Sequence, residues 1–325
     1  MKLRNIIKTM AMLVVITVCM SGTTFLSQTT SELKLIDEYI KLNEAEKRLP
    51  EYKDDIETLK LKLTQVDIIN ASRKSYKAAA VKLDILASRV ANKISVEAAK
   101  NDFTGHWNLA GEKPYHRWGM AGGYDNITEN AYGEWTTSKY ELSSKTIATM
   151  MKNGHEAFMK ERAPNDGHKK AIIDKYHNYV GIGFALTENR FRYYEEFINR
   201  YIEFKNIPSR VKTNTEFKIN VKPMNGEFLH FLVVYRDKPL VPMTPEQIKR
   251  RASYSDYGDE EVLKIPAWEL AQFRSENGYS IPLKFPKEGV YYIQMYLDEK
   301  EVIKSASINT KGKEPASGIV ILVTN

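Results

Sequence analysis

The sequence predicts an α+β protein in two unlike parts, an α-β-α sandwich followed by an all-β sandwich of immunoglobulin-like type. Three observations carry this. Between residues 31 and 176 apolar residues recur mostly at helical spacing. Two apolar runs, Tyr179 to Leu186 and Phe191 to Phe197, flank Thr187-Glu-Asn-Arg190 and read as a β-hairpin. From Asn206 onward strand-like runs alternate with turns rich in Pro, Gly and Asn. A chain of 325 residues is long enough for two domains.

The N-terminus places Lys2, Arg4 and Lys8 before an apolar stretch from Met10 to Met20, then the small residues Ser21-Gly-Thr23. That order is the pattern of a secretory signal peptide, here residues 1–27, with the mature chain starting between about Ser21 and Thr30. The apolar run falls short of the roughly 20 residues that span a bilayer. The expectation is a secreted protein, extracellular or in the cell envelope, with no stable membrane span after cleavage; an uncleaved anchor is the alternative. The single cysteine, Cys19, lies inside this segment, so a chain cut near Ser27 has no disulfide and must rely on core burial. The residues before Cys19 lack the small side chain expected ahead of a lipid-modified cysteine.

Formal charge is +7, and loss of Lys2, Arg4 and Lys8 takes it to +4. Lysines are interspersed with acidic residues, and no nucleic-acid-binding signature accompanies them, so nucleic acid is excluded as an expected partner.

Residues 28–61 form a charged helical segment broken at Pro50, with Ile36, Tyr39, Ile40, Ile56 and Leu59 at helical spacing. It reads either as a spacer or oligomerising stalk, or as a helical hairpin packed on the next domain. Helical rhythm continues through Val66, Ile69, Leu83, Leu86, Val90, Ile94 and Ala98. Residues 110–128, rich in Gly and aromatics, read as an ordered loop. A helix from about Ser143 to Arg162 stops before Pro164, and Asn165-Asp166 can cap a short helix from Gly167 to Tyr176. Strands are expected at Glu216–Val221, Leu229–Tyr235, Val290–Leu297, Val302–Ile308 and Gly318–Val323. The shift from helical to strand period near Asn206 divides the chain into domains 62–200 and 206–325, expected to fold as separate units.

Glu161 gives the strongest argument from residues alone. Ile147, Met150, Met151, Gly154 and Phe158 define one helix face, and continuing at about 100° per residue puts Glu161 on it and Glu156 opposite, in solvent. A carboxylate on a core-facing stripe needs a partner or a cleft; a glutamate snorkelling past Pro164 is the bland alternative. His168 falls in the first turn of its short helix, where the positive end disfavours an imidazolium. His106 follows Gly105 and precedes Trp107, either walling a cleft or filling an aromatic cluster. His116, His155, His177 and His230 read as loop, flank or surface residues. Ser253-Tyr-Ser-Asp-Tyr-Gly258 is an aromatic loop, read as packing within the sandwich rather than as a recognition surface.

Taken in order, Phe103-Thr-Gly-His106, Thr128-Glu-Asn-Ala131, Phe158-Met-Lys-Glu161, Gly167-His168 and Tyr179-Val-Gly-Ile-Gly183 resemble the CAP superfamily of cysteine-rich secretory, antigen 5 and pathogenesis-related proteins, in its bacterial secreted branch because disulfides are absent. The resemblance covers roughly residues 62–200. It implies a cleft around a tetrad of His106, Glu129, Glu161 and His168. It also implies His106 and His168 as ligands of Zn2+ or another divalent cation, with the two glutamates holding the rings or polarising water. No HExxH helix is present, so conventional zinc-protease chemistry is not indicated.

Three functions follow as expectations. The first is binding of a small apolar, lipid- or sterol-like ligand in the tetrad cleft, with a divalent metal as a further ligand. The second is a metal-dependent extracellular peptide hydrolase with Glu129 or Glu161 as general base. The third is an adhesion or cell-wall module, engaging an extracellular polymer or peptide, with a vestigial tetrad. Four such residues serve binding and turnover alike, so enzyme status stays open.

Overall fold

The computed structural model describes residues 33–251, 254, 260–305 and 307–325. The expected signal peptide and most of the Ser253–Gly258 loop lie outside them. No helix among the described residues is long and apolar enough to cross a membrane.

Helix α1 spans 33–45, and a 3-10 turn at Pro50–Tyr52 separates it from α2 (Ile56–Ser75). Ile36 and Tyr39 of α1 join Leu59, Val66 and Ile69 of α2 in one buried cluster. Arg89 fastens the same segment by donating to the carbonyls of Asn43 at 2.7 Å and Arg48 at 2.6 Å. The N-terminal helices therefore pack on the following domain, as the hairpin reading expected, and α2 runs unbroken through residues 61 and 62.

Strand β1 (Lys82–Leu83) leads into α3 (Ile85–Asn101), capped by the Asp84 carboxylate on the Ala87 N–H. Within 110–128, expected as loop, a short helix α4 (Pro114–Met120) forms with proline in its first turn, where the missing N–H costs nothing. Strand β2 (Asn126–Trp135), α5 (Ser144–Met159), α6 (Gly167–Ile173), β3 (Tyr179–Leu186) and β4 (Arg190–Asn199) complete the first unit. Its sheet runs β1-β3-β4-β2, with β2 at one edge.

The two faces of this sheet follow from alternation along β4. Phe191, Tyr193 and Phe197 point into the cluster with α2, α5 and α6, while Tyr194 and Ile198 join residues of α3 and α4. Gly181 and Gly183 alternate with the buried Val180 and Ile182. A Cβ on Gly181 would meet the Ala87 carbonyl carbon at 2.4 Å, and one on Gly183 that of Ala91 at 2.1 Å. Those glycines let α3 lie directly against β3, which explains the Val-Gly-Ile-Gly spacing. The observed layers form the predicted α-β-α sandwich.

The second unit holds β5 (Ile202–Lys205), β6 (Arg210–Lys212), β7 (Glu216–Pro223), β8 (Phe228–Asp237), α7 (Pro245–Lys249), β9 (Glu260–Pro266), α8 (Ala267–Leu270), β10 (Arg274–Ser275), β11 (Gly278–Lys284), β12 (Gly289–Asp298), β13 (Glu314–Pro315) and β14 (Ile319–Thr324). One sheet runs β10-β11-β7-β5 and the other β6-β14-β12-β8-β9, with β13 beside β12. Ile219 and Ile281 of the first sheet share a core with Leu232, Ile293 and Ile321 of the second, a two-sheet β-sandwich.

The strand expected at Val302–Ile308 does not form among the described residues. Both sides of β12 are already taken, by β8 and by β14 with β13, and Ile303 is left exposed.

The two units share a further core. Leu86, Tyr115, Trp118 and Ile127 pack with Val290, Tyr292 and Val320 of the sandwich. Gly119 is needed there, since a Cβ would come within 2.5 Å of the Val320 side chain.

Candidate functional site

The four sequence-predicted residues meet at the β2 edge. Glu129 sits on β2 directly opposite Glu196 of β4 in the antiparallel register. His106 arrives from the loop after α3, its backbone carbonyl held by Arg117 Nη1 at 2.7 Å. Its Nδ1 lies 2.9 Å from Glu129 Oε1, and Arg117 of α4 donates to Glu129 Oε2. The Glu129 side chain is fully buried. Burial alone would raise its carboxyl, but the Arg117 charge and the His106 hydrogen bond hold it below its ordinary value.

Glu161 and His168 form the second pair. The Glu161 helix ends sooner than expected, at Met159, so the glutamate follows the last turn rather than lying on its stripe. Its backbone N–H still donates to the Phe158 carbonyl at 3.2 Å, which keeps the side chain near the predicted side. Glu161 Oε1 lies 2.5 Å from His168 Nδ1. Glu161 Oε2 accepts from the backbone N–H groups of His168 at 3.0 Å and Lys169 at 3.3 Å. Glu161 thus supplies the side-chain cap of α6 in place of the expected Asp166, which makes no such bond. The ring of His168 stacks on Phe158 at 4.6 Å.

The imidazoles of His106 and His168 face one another across the edge, with centroids 6.3 Å apart. Each has its Nδ1 engaged by a carboxylate, which leaves Nε2 as the atom for a ligand. The opposite face of the sheet supports the arrangement. Asn130 donates to the His168 carbonyl at 3.1 Å and to Glu195 Oε2 at 3.0 Å.

Three contributors escaped sequence reasoning. Arg117 was seen only as part of an aromatic-rich loop. Glu196 is fully buried and neither of its oxygens receives a donor. Burial and the neighbouring Glu129 charge push its carboxyl well above the ordinary range. Tyr254 comes from the sandwich, its ring edge-on to His106 at 4.7 Å and its hydroxyl accepting from the Glu129 N–H at 3.2 Å. The loop read as internal packing thus reaches the tetrad with this residue. A cluster of aromatics in a sandwich loop was the only available signal.

Three of the remaining histidines correct the surface reading. His116, His155 and His177 are buried. His155 bridges Ser72 Oγ at 2.9 Å and Glu195 Oε1 at 3.2 Å, and His177 Nδ1 donates to Asn199 Oδ1 at 2.6 Å. A polar ring buried this deeply persists because each finds a partner.

No group of three or more His, Cys, Asp or Glu side chains suited to a metal gathers among the described residues. Two cavities, of about 430 and 600 Å³, are lined by residues outside the tetrad.

Residues 66–197 match the family described as CAP, the cysteine-rich secretory protein family. Solved structures with partial likeness include an extracellular protein containing an SCP domain from Bacillus anthracis, at 16% identity and TM-score 0.33, over 42% of this chain and 40% of that one. Another is an outer surface protein from Borrelia burgdorferi, at 16% identity and TM-score 0.33, over 43% of this chain and 93% of the other. No curated protein matches the sequence.

Proposed function

We propose, from the match of residues 66–197 to the CAP, cysteine-rich secretory protein, family, that the chain is an extracellular binding protein whose ligand is held between His106 and His168. One observation carries this reading. Both rings have Nδ1 occupied by a glutamate, so two Nε2 atoms are left for a common guest, with centroids 6.3 Å apart. The basic-apolar-small order of residues 2–27 supports export. Tyr254, edge-on to His106, offers apolar surface to the body of a small lipid- or sterol-like ligand.

A divalent ion would find two protein ligands here, because the carboxylates are spent on the rings, Arg117 and the start of α6; a ring nitrogen opposite a carboxylate-bound Nδ1 is a good metal ligand. His106 and His168 would hold it, leaving positions for water or a ligand oxygen. Bound there, it would act as a Lewis acid toward that oxygen.

Binding is favoured over peptide hydrolysis by the state of the glutamates. Glu129 is buried between His106 and Arg117, and both oxygens of Glu161 are engaged by His168 and the start of α6. A general base needs an oxygen within reach of a water proton.

Zinc calorimetry tests the site. Affinity should fall steeply as pH drops through the histidine range, because protonation removes the ligand lone pair. His168→Ala should abolish binding, and Glu161→Ala should weaken it by roughly 10–100-fold. Equal affinity in the parent and both variants would refute the site and favour the vestigial-tetrad module.

A further inference from the structure

The cavity of about 430 Å³ lies between the CAP domain and the β-sandwich, with Trp107, Lys113 and His116 on one side and residues of the 237–251 segment on the other. Its volume is that of an ordinary small-molecule site, and such sites favour domain junctions.

Among the described residues that line it, Lys113, Arg250 and Arg251 face one carboxylate, Asp237. That carboxylate is already engaged. Lys113 Nζ lies 3.3 Å from Oδ1, and Oδ2 receives the Tyr115 hydroxyl at 3.0 Å and His116 Nε2 at 2.8 Å. The tautomer of His116 is fixed by the Lys113 N–H, which donates to Nδ1 at 3.3 Å and so places the ring proton on Nε2. Lys113, Tyr115 and His116 therefore build a rigid, buried floor, and Asp237 cannot also answer the arginines.

The polar groups still available are donors. Arg251 lays its guanidinium over the Trp107 ring at 4.8 Å; this stacking orients the planar fork while its N–H groups stay open. Neither Arg250 nor Arg251 forms an ion pair among the described residues. The Trp107 indole N–H is buried with no acceptor among them, and a buried donor left unmet is costly. Gln247 spends its carbonyl oxygen on the Thr244 N–H at 2.8 Å, which leaves its amide N–H₂. Beside these donors the run Pro239-Leu-Val-Pro-Met243 forms an apolar wall.

We propose that this interdomain cavity is a second binding site, for a small organic dianion, a phosphomonoester carried on an apolar or aromatic body. The head would lie against Arg250 and Arg251, whose forks match phosphate oxygens in pairs. The body would lie along residues 239–243.

The test uses phenyl phosphate as probe, titrated into the full chain and followed by calorimetry and tryptophan fluorescence. Phenyl phosphate should bind at one site per chain, inorganic phosphate at least about tenfold more weakly for want of the apolar body, and phenol not at all. The double variant Arg250→Gln/Arg251→Gln changes exposed side chains, so it should fold normally by circular dichroism, yet lose at least about tenfold in affinity. His168→Ala should leave phenyl phosphate binding unchanged, which separates this site from the tetrad. Absence of phenyl phosphate binding, equal binding of phenol or inorganic phosphate, survival of binding in the double arginine variant, or loss in His168→Ala would each overturn the proposal.

Discussion

Glu161 holds His168 from two directions at once: one carboxylate oxygen takes the ring at 2.5 Å and the other takes the backbone N–H of the same residue at 3.0 Å. One side chain therefore fixes both the ring and the start of the helix that carries it. Glu161→Ala should cost about 1 kcal/mol as a lost cap and release the His168 ring. Glu156, half-exposed and paired only with Lys152 and Lys160 at the surface, should tolerate alanine within about 0.5 kcal/mol. Urea unfolding of both variants checks the contrast; equal losses would contradict it.

Arg117, Glu129 and Glu196 form one buried unit in which the Arg117 cation balances a single ionised carboxyl, that of Glu129. Arg117→Met leaves the Glu129 carboxylate without its cation, and removing one partner of a buried pair costs about 3–5 kcal/mol. Glu196 is held in its acid form, so Glu196→Gln removes no charge and should cost less than about 1 kcal/mol. Chemical denaturation of the two variants at neutral pH should show this large difference; similar losses would mean that Glu196 is ionised.

Tyr254 covers His106 from the second domain. Tyr254→Ala should speed carbethoxylation of His106 by diethyl pyrocarbonate severalfold, read by peptide mass spectrometry, while Tyr254→Phe keeps the ring in place and the rate close to that of the parent. An unchanged rate in the alanine variant would show that the tyrosine does not shield the site.

The parts legible in the sequence were those set by short-range pattern. The run Tyr179-Val-Gly-Ile-Gly183 read as a strand, and His106, Glu129, Glu161 and His168 could be placed because each sits in a local motif. Strand β2 was missed because its opening Asn-Ile-Thr-Glu-Asn is polar where the site requires it, which masks the strand period. Val302–Ile308 shows the converse, a partly apolar run whose preceding strand, β12, already has both sides paired. Arg117, Glu196 and Tyr254 were invisible for a different reason. Glu196 faces Glu129 only through a register joining residues 67 positions apart, and Tyr254 reaches His106 only because the two units share a core. His155 and His177 looked like surface residues because nothing local announces the distant Glu195, Asn199 and Phe197 that enclose them.

His177 should make stability depend on pH. Its ring is buried, stacked on Phe197 at 5.2 Å and bonded to Asn199. Burial pushes its pKa down from 6.5 to about 4. The folded state thus holds a neutral ring where the unfolded chain binds a proton. Stability from this group is complete above the unfolded value of 6.5 and is lost as pH falls toward 4, a difference on the order of 3 kcal/mol. Asp125 acts in the opposite sense: burial lifts its carboxyl to about 6, so its contribution is present at low pH and lost as pH rises through 6. Urea unfolding between pH 4 and 7 should therefore show, for the parent, less loss on acidification than His177 alone would give. In His177→Gln the downward slope should vanish or reverse, because only the Asp125 contribution then remains of the two. An identical slope in the variant would mean that His177 takes up its proton without leaving the fold.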